Sequence, residues 1–381
     1  MRQRDQDASA AAVGIFGPYP PPWGGMSVHV KRLAPLLESA GVSWRVYNGL
    51  GRVADPPRIV NVARRPRRQA VASLVRCRHR VCYVVTTRTI VRFWAGLMGV
   101  RGRRVILRVG GESLEKALRR SGRLERWMSR FAVRRAWGVV AVNPRIAEVA
   151  AAVRGSRERI WVIPGFLRPP PEPAGPPGPA GVAGEAGEAF LSAHSPRLLA
   201  MGRFGQFQGR EVYGVGDLIE LLARVRRRFA GAGLLFVLTQ PRDLDGPEWP
   251  KLRARVDRLG LAGHLRVQPA GGELVPLMRR ADLLVRPTTT DGDANSVREA
   301  LWVGLPVVAS DCVARPEGTI PHRTGDVDDL AERTLETLSD LDGARRRVAA
   351  LDVRDNWPAL RKVFAEALER PLPAGESCGN Q

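Results

Sequence analysis

Short apolar runs rich in β-branched residues alternate with longer mixed segments along the first half of the chain. These runs predict strands at 13–16, 44–47, 81–85, 105–109, 139–142 and 160–163. Between the first two runs, apolar residues recur at intervals of three and four, at Val30, Leu33, Leu37 and Ala40. That spacing predicts one apolar face of a helix, and Gly41 marks its end. Strands that alternate with helices are typical of a parallel sheet with crossover helices.

The second half of the chain repeats this alternation. Its apolar runs predict strands at 198–201, 234–238, 265–268, 283–285 and 307–309. Segments of helical periodicity lie between them, at 215–229, 251–259 and 297–303. We therefore expect a second α/β domain of the same kind.

A segment dense in proline and glycine, residues 168–189, separates the two halves. Five of its glycines follow a triplet period, at Gly175, Gly178, Gly181, Gly184 and Gly187. So few triplets cannot hold a collagen helix, and the composition favours a flexible linker. Near the end of the chain, apolar residues of 355–368 fall at helical spacing and predict an amphipathic helix. The expected organisation is a domain at 1–167, a linker at 168–190, a domain at 191–354, a helix at 355–370 and a flexible tail at 371–381.

Composition narrows the classes of function. The chain has 381 residues and a formal net charge of +22, and only four of its 60 basic residues are lysines. A GC-rich coding bias gives the same arginine excess, so the charge is not evidence of nucleic-acid binding. No apolar run approaches the roughly 20 residues that a membrane-spanning helix needs. Four cysteines without metal-site spacing cannot staple a chain of this length, which makes a reducing cytosol the expected location (Cys77, Cys82, Cys312 and Cys378).

Two glycine pairs follow predicted strands. Gly24 and Gly25 open the first helix, where glycine lets the backbone approach a ligand and the free N–H groups of a helix start bind phosphate. The alternative is an ordinary strand-to-helix loop that needs glycine. Gly110 and Gly111, followed by Glu112, end the 105–109 strand, where the crevice of a doubly wound sheet lies.

The densest pattern is residues 281–311, ADLLVRPTTTDGDANSVREALWVGLPVVASD. A buried strand leads into a polar loop, then a short helix opened near Ser296, then another buried strand after Gly304. Asp291 in the loop and Glu299 in the helix can both face one bound molecule. A carboxylate pair suits the vicinal hydroxyls of ribose or a hexose, and the helix start suits phosphate.

Three other interpretations of this segment remain open. Ser296 and Glu299 have the spacing of a capping box, in which the glutamate only satisfies a backbone N–H. Asp291 and Asp293 are also typical turn residues. Finally, Asp291-Gly292-Asp293 fits a metal-chelating DxD motif that holds a divalent cation against a diphosphate.

At this segment the chain resembles glycosyltransferase family 4, the group 1 retaining enzymes of the GT-B fold. The family pattern is Glu-x7-Glu, then alanine, a Gly-x-Pro turn and a valine-rich strand. Here Asp291-x7-Glu299 is followed by Ala300 and by Gly304-Leu305-Pro306-Val307-Val308. Further matches follow in the expected order: the Gly24-Gly25 loop, the run Val162-Ile163-Pro164-Gly165, and Gly202-Arg203.

The resemblance implies two Rossmann-like domains that face each other across a cleft, with the 355–368 helix returning to the first domain. The second domain would bind the donor, a nucleotide-diphosphate sugar, with no other cofactor and no metal. Asp291, Glu299 and Arg203 would be catalytic: Asp291 at the donor sugar, Glu299 at the ribose hydroxyls and Arg203 at the diphosphate. The implied donor site comprises Gly24, Gly25, Gly202, Arg203, Tyr213, Gly292, Asn295, Ser296, Val297 and Glu299, and the acceptor side comprises Gly110, Gly111 and Glu112.

Three departures from the family pattern bear on this expectation. The first family glutamate is Asp291, one methylene shorter. The family's phosphate-binding lysine is absent, and Tyr213-Gly214 occupies roughly its place. No histidine accompanies Gly110-Gly111, where many relatives carry one near the acceptor.

The favoured function is a retaining, metal-independent glycosyltransferase that acts on a glycan or lipid-linked acceptor. A nucleotide-sugar epimerase of the same fold is the nearest enzymatic alternative, but the chain offers few histidines for acid/base chemistry. A weakened, basic binding protein is the alternative of another class. Nucleic acid is not expected as a partner, because the arginine clusters at 64–68 and 76–80 lack interleaved aromatics.

Residues 119–135 combine seven arginines with an apolar side and predict one helical stretch. Such a helix can lie on an anionic bilayer. It can equally pack its apolar side on the first sheet and leave the arginines solvated. The first alternative predicts a cytoplasmic protein peripheral to the inner face of the cell membrane.

Overall fold

The computed structural model describes residues 11–50, 53, 58–62, 77–169, 184–207 and 210–373. Two compact units are present: residues 1–172 with 355–381, and residues 173–354. Most of the predicted linker, the 64–68 arginine cluster and residues 374–381 of the predicted tail lie outside the described residues. No helix in the described ranges is both long enough and apolar enough to cross a membrane.

The first unit is built on a seven-stranded sheet. Its strands are β1 (Val13–Gly17), β2 (Trp44–Asn48), β3 (Ile59–Asn61), β4 (Val81–Val85), β5 (Arg104–Val109), β6 (Gly138–Ala141) and β7 (Ile160–Val162). They lie in the order β3-β2-β1-β4-β5-β6-β7, and all neighbours are parallel. In the described residues five helices connect them: α1 (Gly25–Ser39), α2 (Thr89–Val100), α3 (Ser113–Arg119), α4 (Arg123–Arg135) and α5 (Pro144–Arg154). Every residue of β1, β4 and β6 is buried, as expected where helices cover both faces of a parallel sheet.

The second unit has a six-stranded parallel sheet and a small antiparallel ribbon. The sheet strands are β8 (Arg197–Gly202), β11 (Gly233–Leu238), β12 (Leu265–Pro269), β13 (Leu283–Arg286), β14 (Val307–Ser310) and β15 (Thr319–His322), and the ribbon is β9 (Gln206–Phe207) with β10 (Arg210–Glu211). The sheet order is β12-β11-β8-β13-β14-β15. The helices are α6 (Gly184–Ser192), α7 (Val215–Arg228), α8 (Glu248–Arg258), α9 (Val275–Met278), α10 (Asn295–Trp302), α11 (Val327–Ser339) and α12 (Leu341–Ala349), with a 3-10 turn at Pro241–Asp245.

The last helix, α13 (Trp357–Leu368), lies in the first unit. Trp357, Leu360 and Phe364 are buried in the same core as Val13 of β1. The Phe364 ring lies 5.3 Å from the Tyr83 ring, between centroids. The chain therefore leaves the first unit, builds the second, and comes back to complete the first core.

The eleven predicted strands and the α/β class are confirmed. The sequence reasoning missed β3, β15 and the ribbon, because these strands are short or carry polar residues. It also missed α2, α5, α9, α11 and α12, although Gly155 ends α5 in the left-handed conformation as a helix-terminating glycine does (φ 76°).

Two predicted boundaries are wrong. Residues 184–190, which we placed in the linker, belong to α6, and Leu191 of that helix is buried in the second unit's core. Five regularly spaced glycines hid the helix, whose apolar residues are concentrated at its end. The 119–135 stretch is two helices, because α3 ends at Arg119 and α4 begins only at Arg123, after Gly122.

Both sheets have the strand order of a doubly wound fold. In each, the first strand of the unit is central, β1 between β2 and β4, and β8 between β11 and β13. Connections leave such a strand in opposite directions, so each sheet has its own crevice at the carboxyl end of its central strand. Gly24 follows β1, and Gly202 ends β8, at these two positions.

Candidate functional site

The carboxyl end of β8 brings glycine, arginine and tyrosine together. Gly202 ends the strand, and a Cβ at this position would lie 2.5 Å from the Tyr213 ring. Only glycine therefore lets that ring pack on the strand end. Arg203 follows with an exposed side chain, and it lines a small pocket together with Gln206, Glu211 and Tyr213.

The neighbouring strand β13 ends in Arg286, whose side chain is 11% exposed. Its Nε donates to Asp291 Oδ2 at 2.8 Å. Its guanidinium carbon lies 5.8 Å from the centroid of the Tyr213 ring. The Tyr213 ring thus contacts Gly202 at the end of β8 and lies close to Arg286 at the end of the adjacent strand β13.

Asp291 lies between two arginines. Its Oδ2 also accepts from Arg315 Nη1 at 2.9 Å, and its Oδ1 accepts from the Gly292 N–H at 3.0 Å. Burial alone would raise the pKa of this carboxyl, but Arg286 and Arg315 hold it far below its usual range. Asp291 is therefore an anion at neutral pH, and both of its oxygens have partners within the chain.

Arg315 binds the segment that ends β14. Its Nε donates to the Ser310 carbonyl at 2.8 Å, and its Nη2 donates to Thr288 Oγ1 at 3.2 Å and to Ser310 Oγ at 3.1 Å. The side chain is 6% exposed. Arg315 therefore ties the loops after β13 and β14 into one polar cluster with Asp291.

Glu299 lies in α10, which begins at Asn295. Ser296 is inside the first turn, and Ala294 precedes the helix without a side-chain cap, so the capping-box interpretation is wrong. Ser296 and Glu299 are both 5% exposed. Val297 is completely buried and its N–H donates to the Ala294 carbonyl, so neither its side chain nor its N–H is available to a ligand, contrary to its place in the expected donor site.

The DxD interpretation is not favoured by the charges around the motif. Arg298 pairs with Asp293 at 2.9 Å, so both carboxylates of Asp291-Gly292-Asp293 are neutralised by arginines. The described residues contain no group of three or more His, Cys, Asp or Glu side chains that could hold a metal ion.

The predicted residues of the first unit lie at the carboxyl edge of its sheet. Gly24 is extended (φ −161°) and α1 starts at Gly25, with Ser27 Oγ accepting from the Gly24 N–H at 2.9 Å. Gly110, Gly111 and Glu112 follow β5 and lead into α3. Each glycine pair thus lies, as predicted, between a strand of the first sheet and a helix.

Three residues of this polar cluster escaped the sequence reasoning: Arg286, Arg315 and Ser310. One signal was available, since Arg286 is a charged residue directly after the buried run 283–285. Arg315 gave no such signal, because its contact with Asp291 joins residues 24 positions apart in the chain.

Known proteins resemble this chain both in the sequence of the second unit and in fold. Residues 195–340 match the family described as Glycosyl transferases group 1. No curated protein sequence matches the chain. Anabaena HepE, solved with UDP-glucose, superposes with a TM-score of 0.65 at 16% identity, covering 94% of this chain and 98% of HepE.

Two further structures are similar. Sucrose-phosphate synthase from Thermosynechococcus elongatus has a TM-score of 0.64 at 18% identity and covers 93% of this chain and 99% of its own. WaaG, a glycosyltransferase involved in lipopolysaccharide biosynthesis, has a TM-score of 0.62 at 16% identity with 91% and 98% coverage. With the two parallel sheets, these likenesses identify the fold as GT-B.

Proposed function

We propose that this protein is a glycosyltransferase that moves a sugar from a nucleotide-diphosphate sugar to a glycan or lipid-linked acceptor. The observation that carries the proposal is the match of residues 195–340 to group 1 glycosyl transferases, because this range contains the whole polar cluster at β8, β13 and β14. The binding of UDP-glucose by HepE, which has the same fold, supports a nucleotide sugar as donor.

We take the roles of two residues of the second unit from the family resemblance, and their positions are compatible with them. Arg203 is exposed at the switch point and offsets the diphosphate charge, and Glu299 accepts hydrogen bonds from the ribose hydroxyls. In the reaction the bond from the sugar C1 to the diphosphate oxygen breaks, and the oxygen of the acceptor hydroxyl bonds to C1 on the same face. The O–H bond of the acceptor breaks, and its proton passes to the departing diphosphate. Preorganised cations stabilise the negative charge that develops on the leaving diphosphate.

We further propose that the reaction is retaining and needs no metal ion and no cofactor besides the donor. The pairing of Asp291 and Asp293 with arginines supports metal independence. The acceptor side is assigned to Gly110, Gly111 and Glu112 of the first unit.

A panel of nucleotide sugars in a thermal-shift assay identifies the donor, and incubation with acceptor glycans followed by NMR of the product gives the anomeric configuration. We expect one donor to raise Tm and the product to keep the donor's configuration. An epimerised nucleotide sugar as the product would instead support the epimerase alternative. No shift with any nucleotide sugar would contradict the proposal.

A second partner, a membrane surface, is proposed for the outer surfaces of α2 and α4, here called the α2–α4 surface. The helices pack closely, because a Cβ at Gly96 would lie 2.9 Å from the Phe131 ring. The packing buries only part of the apolar side of α4. Ala132 and Val133 are buried, but Leu124 is 68% and Trp127 is 53% exposed.

Aromatic and basic groups share this surface. Phe93, Trp127 and Phe131 form a cluster with ring centroids 5.4 to 5.6 Å apart. Beside it runs an open groove lined by Arg123, Arg126, Trp127, Arg130, Phe131, Arg134 and Arg135. The one acidic residue of the two helices, Glu125, accepts from Thr89 Oγ1 at 2.7 Å.

We propose that the α2–α4 surface binds an anionic bilayer at the inner face of the cell membrane. Each basic residue near such a surface contributes about 1 kcal/mol, and tryptophan rings enter the headgroup region. Liposome co-sedimentation tests this. We expect binding to anionic but not neutral vesicles, weakened by salt and by the triple variant R123Q/R126Q/R130Q. Binding unchanged in that variant, or no binding at low salt, would contradict it.

A further inference from the structure

A buried cluster of two cations and one anion lies at the ends of β13 and β14. Arg286 and Arg315 share the single carboxylate of Asp291, at 2.8 and 2.9 Å. None of the three side chains is more than 11% exposed. The cluster therefore carries a surplus of one positive charge, and burying such a charge is costly unless an anion compensates it.

The two arginines do not have the same freedom to bind that anion. Arg315 uses Nε, Nη1 and Nη2 for contacts to Ser310, Asp291 and Thr288. Arg286 uses Nε for Asp291. Its Nη1 and Nη2 make no hydrogen bond within the part of the chain that the structure describes.

Arg286 lies at a strand end next to the one that Arg203 follows. Arg286 ends β13, and Arg203 follows β8, the adjacent strand across the switch point. Tyr213 packs on Gly202 from one of these strand ends and lies under the Arg286 guanidinium at 5.8 Å. The family resemblance implies a phosphate-binding lysine at roughly the position of Tyr213, and here the Arg286 guanidinium lies beside that ring instead.

We propose that Arg286 is the second diphosphate-binding cation of the donor site, and that Asp291 and Arg315 are positioning residues that hold it. The assignment rests on the proposed function and changes the role of Asp291 from a sugar contact to an anchor. A guanidinium offers two parallel N–H donors that match two phosphate oxygens, so arginine and lysine are not equivalent here. With Nε fixed by Asp291, the remaining edge of Arg286 presents such a pair.

Isothermal titration of the full chain with UDP, GDP and ADP, each compared with its monophosphate, tests the assignment. For the diphosphate that wild type binds, we expect Arg286→Gln to weaken binding by tenfold or more and its monophosphate to be affected less. Arg286→Lys keeps the charge without the paired donors and should lie in between. The control Arg224→Gln breaks the ion pair with Asp328, at 2.5 Å in another part of the unit, and should bind as wild type.

The Asp291→Asn variant distinguishes two roles of Asp291, the positioning of Arg286 and a direct contact with the donor sugar. Removing a negative charge near a diphosphate should by Coulomb's law strengthen its binding. If Asp291 positions Arg286, the variant instead binds the diphosphate several-fold more weakly. Weaker binding of the nucleotide sugar with unchanged binding of the diphosphate would restore Asp291 to the sugar and overturn the positioning role.

Two results overturn the assignment in distinguishable ways. Wild-type affinity in both Arg286→Gln and Arg286→Lys rejects Arg286 alone and leaves the proposed function standing. Failure of wild type to bind any nucleoside diphosphate rejects the proposed function as well. Circular dichroism and chemical denaturation of each variant identify a folding defect, in which case the milder Arg286→Lys decides.

Discussion

At the scale of single residues, the buried Glu299 carboxylate is the group whose proposed role is easiest to isolate. We predict that Glu299→Gln lowers kcat/KM for the donor about ten- to hundredfold, since a hydrogen bond to a charged group contributes about 1.5 to 3 kcal/mol. The amide keeps the shape of the side chain, so the free energy of unfolding should change much less. Steady-state kinetics and urea denaturation measure the two effects, and wild-type kinetics would assign Glu299 a purely structural role.

A substitution at Gly202 tests whether the packing of the Tyr213 ring on this glycine holds the ring in place. A Cβ at this position would meet the Tyr213 ring at 2.5 Å, so Gly202→Ala must displace the ring or the strand end. We predict a loss of about 1 to 3 kcal/mol in stability, as for other overpacked sites, together with weaker donor binding. Gly263→Ala is the matched control, because a Cβ there meets nothing within 4 Å. Equal Tm and donor affinity in the two variants would show that Tyr213 does not depend on this contact.

At the scale of elements, His29 connects α1 to the segment that follows β7. Its Nδ1 lies 3.0 Å from the Gly165 carbonyl and its Nε2 lies 3.0 Å from the Tyr83 hydroxyl. Burial, and secondly the charge of Arg108, hold the pKa of His29 well below its ordinary value. The folded state therefore resists a proton that the unfolded state takes up below about pH 6.5, so stability should fall as the pH drops through that value.

We predict that His29→Gln reduces this loss of stability between pH 7.5 and 5.5, by up to about 1.4 kcal/mol per pH unit below pH 6.5. Part of the slope should remain, because burial also lowers the pKa of His79 and His322. Tyr83→Phe is the control, since it removes the hydrogen bond and keeps the imidazole. Denaturation curves at several pH values measure the slope, and an identical slope in His29→Gln would refute the prediction.

The helix α13 packs in the core of the first unit, although residues 173–354 separate it in sequence from the rest of that unit. Phe364 is completely buried against Tyr83. We predict that Phe364→Ala costs about 3 to 5 kcal/mol in the first unit. Lys362→Ala, at an exposed position of the same helix, should change stability by less than about 0.5 kcal/mol. Hydrogen exchange resolves the units, and equal protection of β1 and β4 in both variants would contradict the prediction.

At the scale of the whole molecule, the paired charges around Asp291-Gly292-Asp293 make a prediction about metal dependence. We expect EDTA to leave the sugar-transfer rate within about twofold of the untreated enzyme, because cations already compensate these carboxylates in the form of arginines. Activity is measured before and after dialysis against EDTA. Complete loss that manganese restores would instead support the DxD interpretation.

Much of the architecture was predictable because it depends on local pattern. The fully buried strands β4 and β6 are continuous apolar runs, and Gly41, which ends the region of α1, has the positive φ of 67° expected of a helix-terminating glycine. The candidate site was predictable only where a motif marked it. The role of Asp291 depends on Arg315, which reaches it only through the folding of β14 and the loop behind it.

The return of α13 to the first unit has a consequence for biosynthesis. A ribosome must add residues 173–354 before it makes the helix that completes the first core, and at about 5 to 20 residues per second this takes roughly 10 to 40 seconds. Throughout that interval the surface that Phe364 and Leu360 will cover is exposed on the nascent chain. The second unit, contiguous in sequence, is synthesised in full before α13, so the core of the first unit is the last to be completed although its first strand is made first.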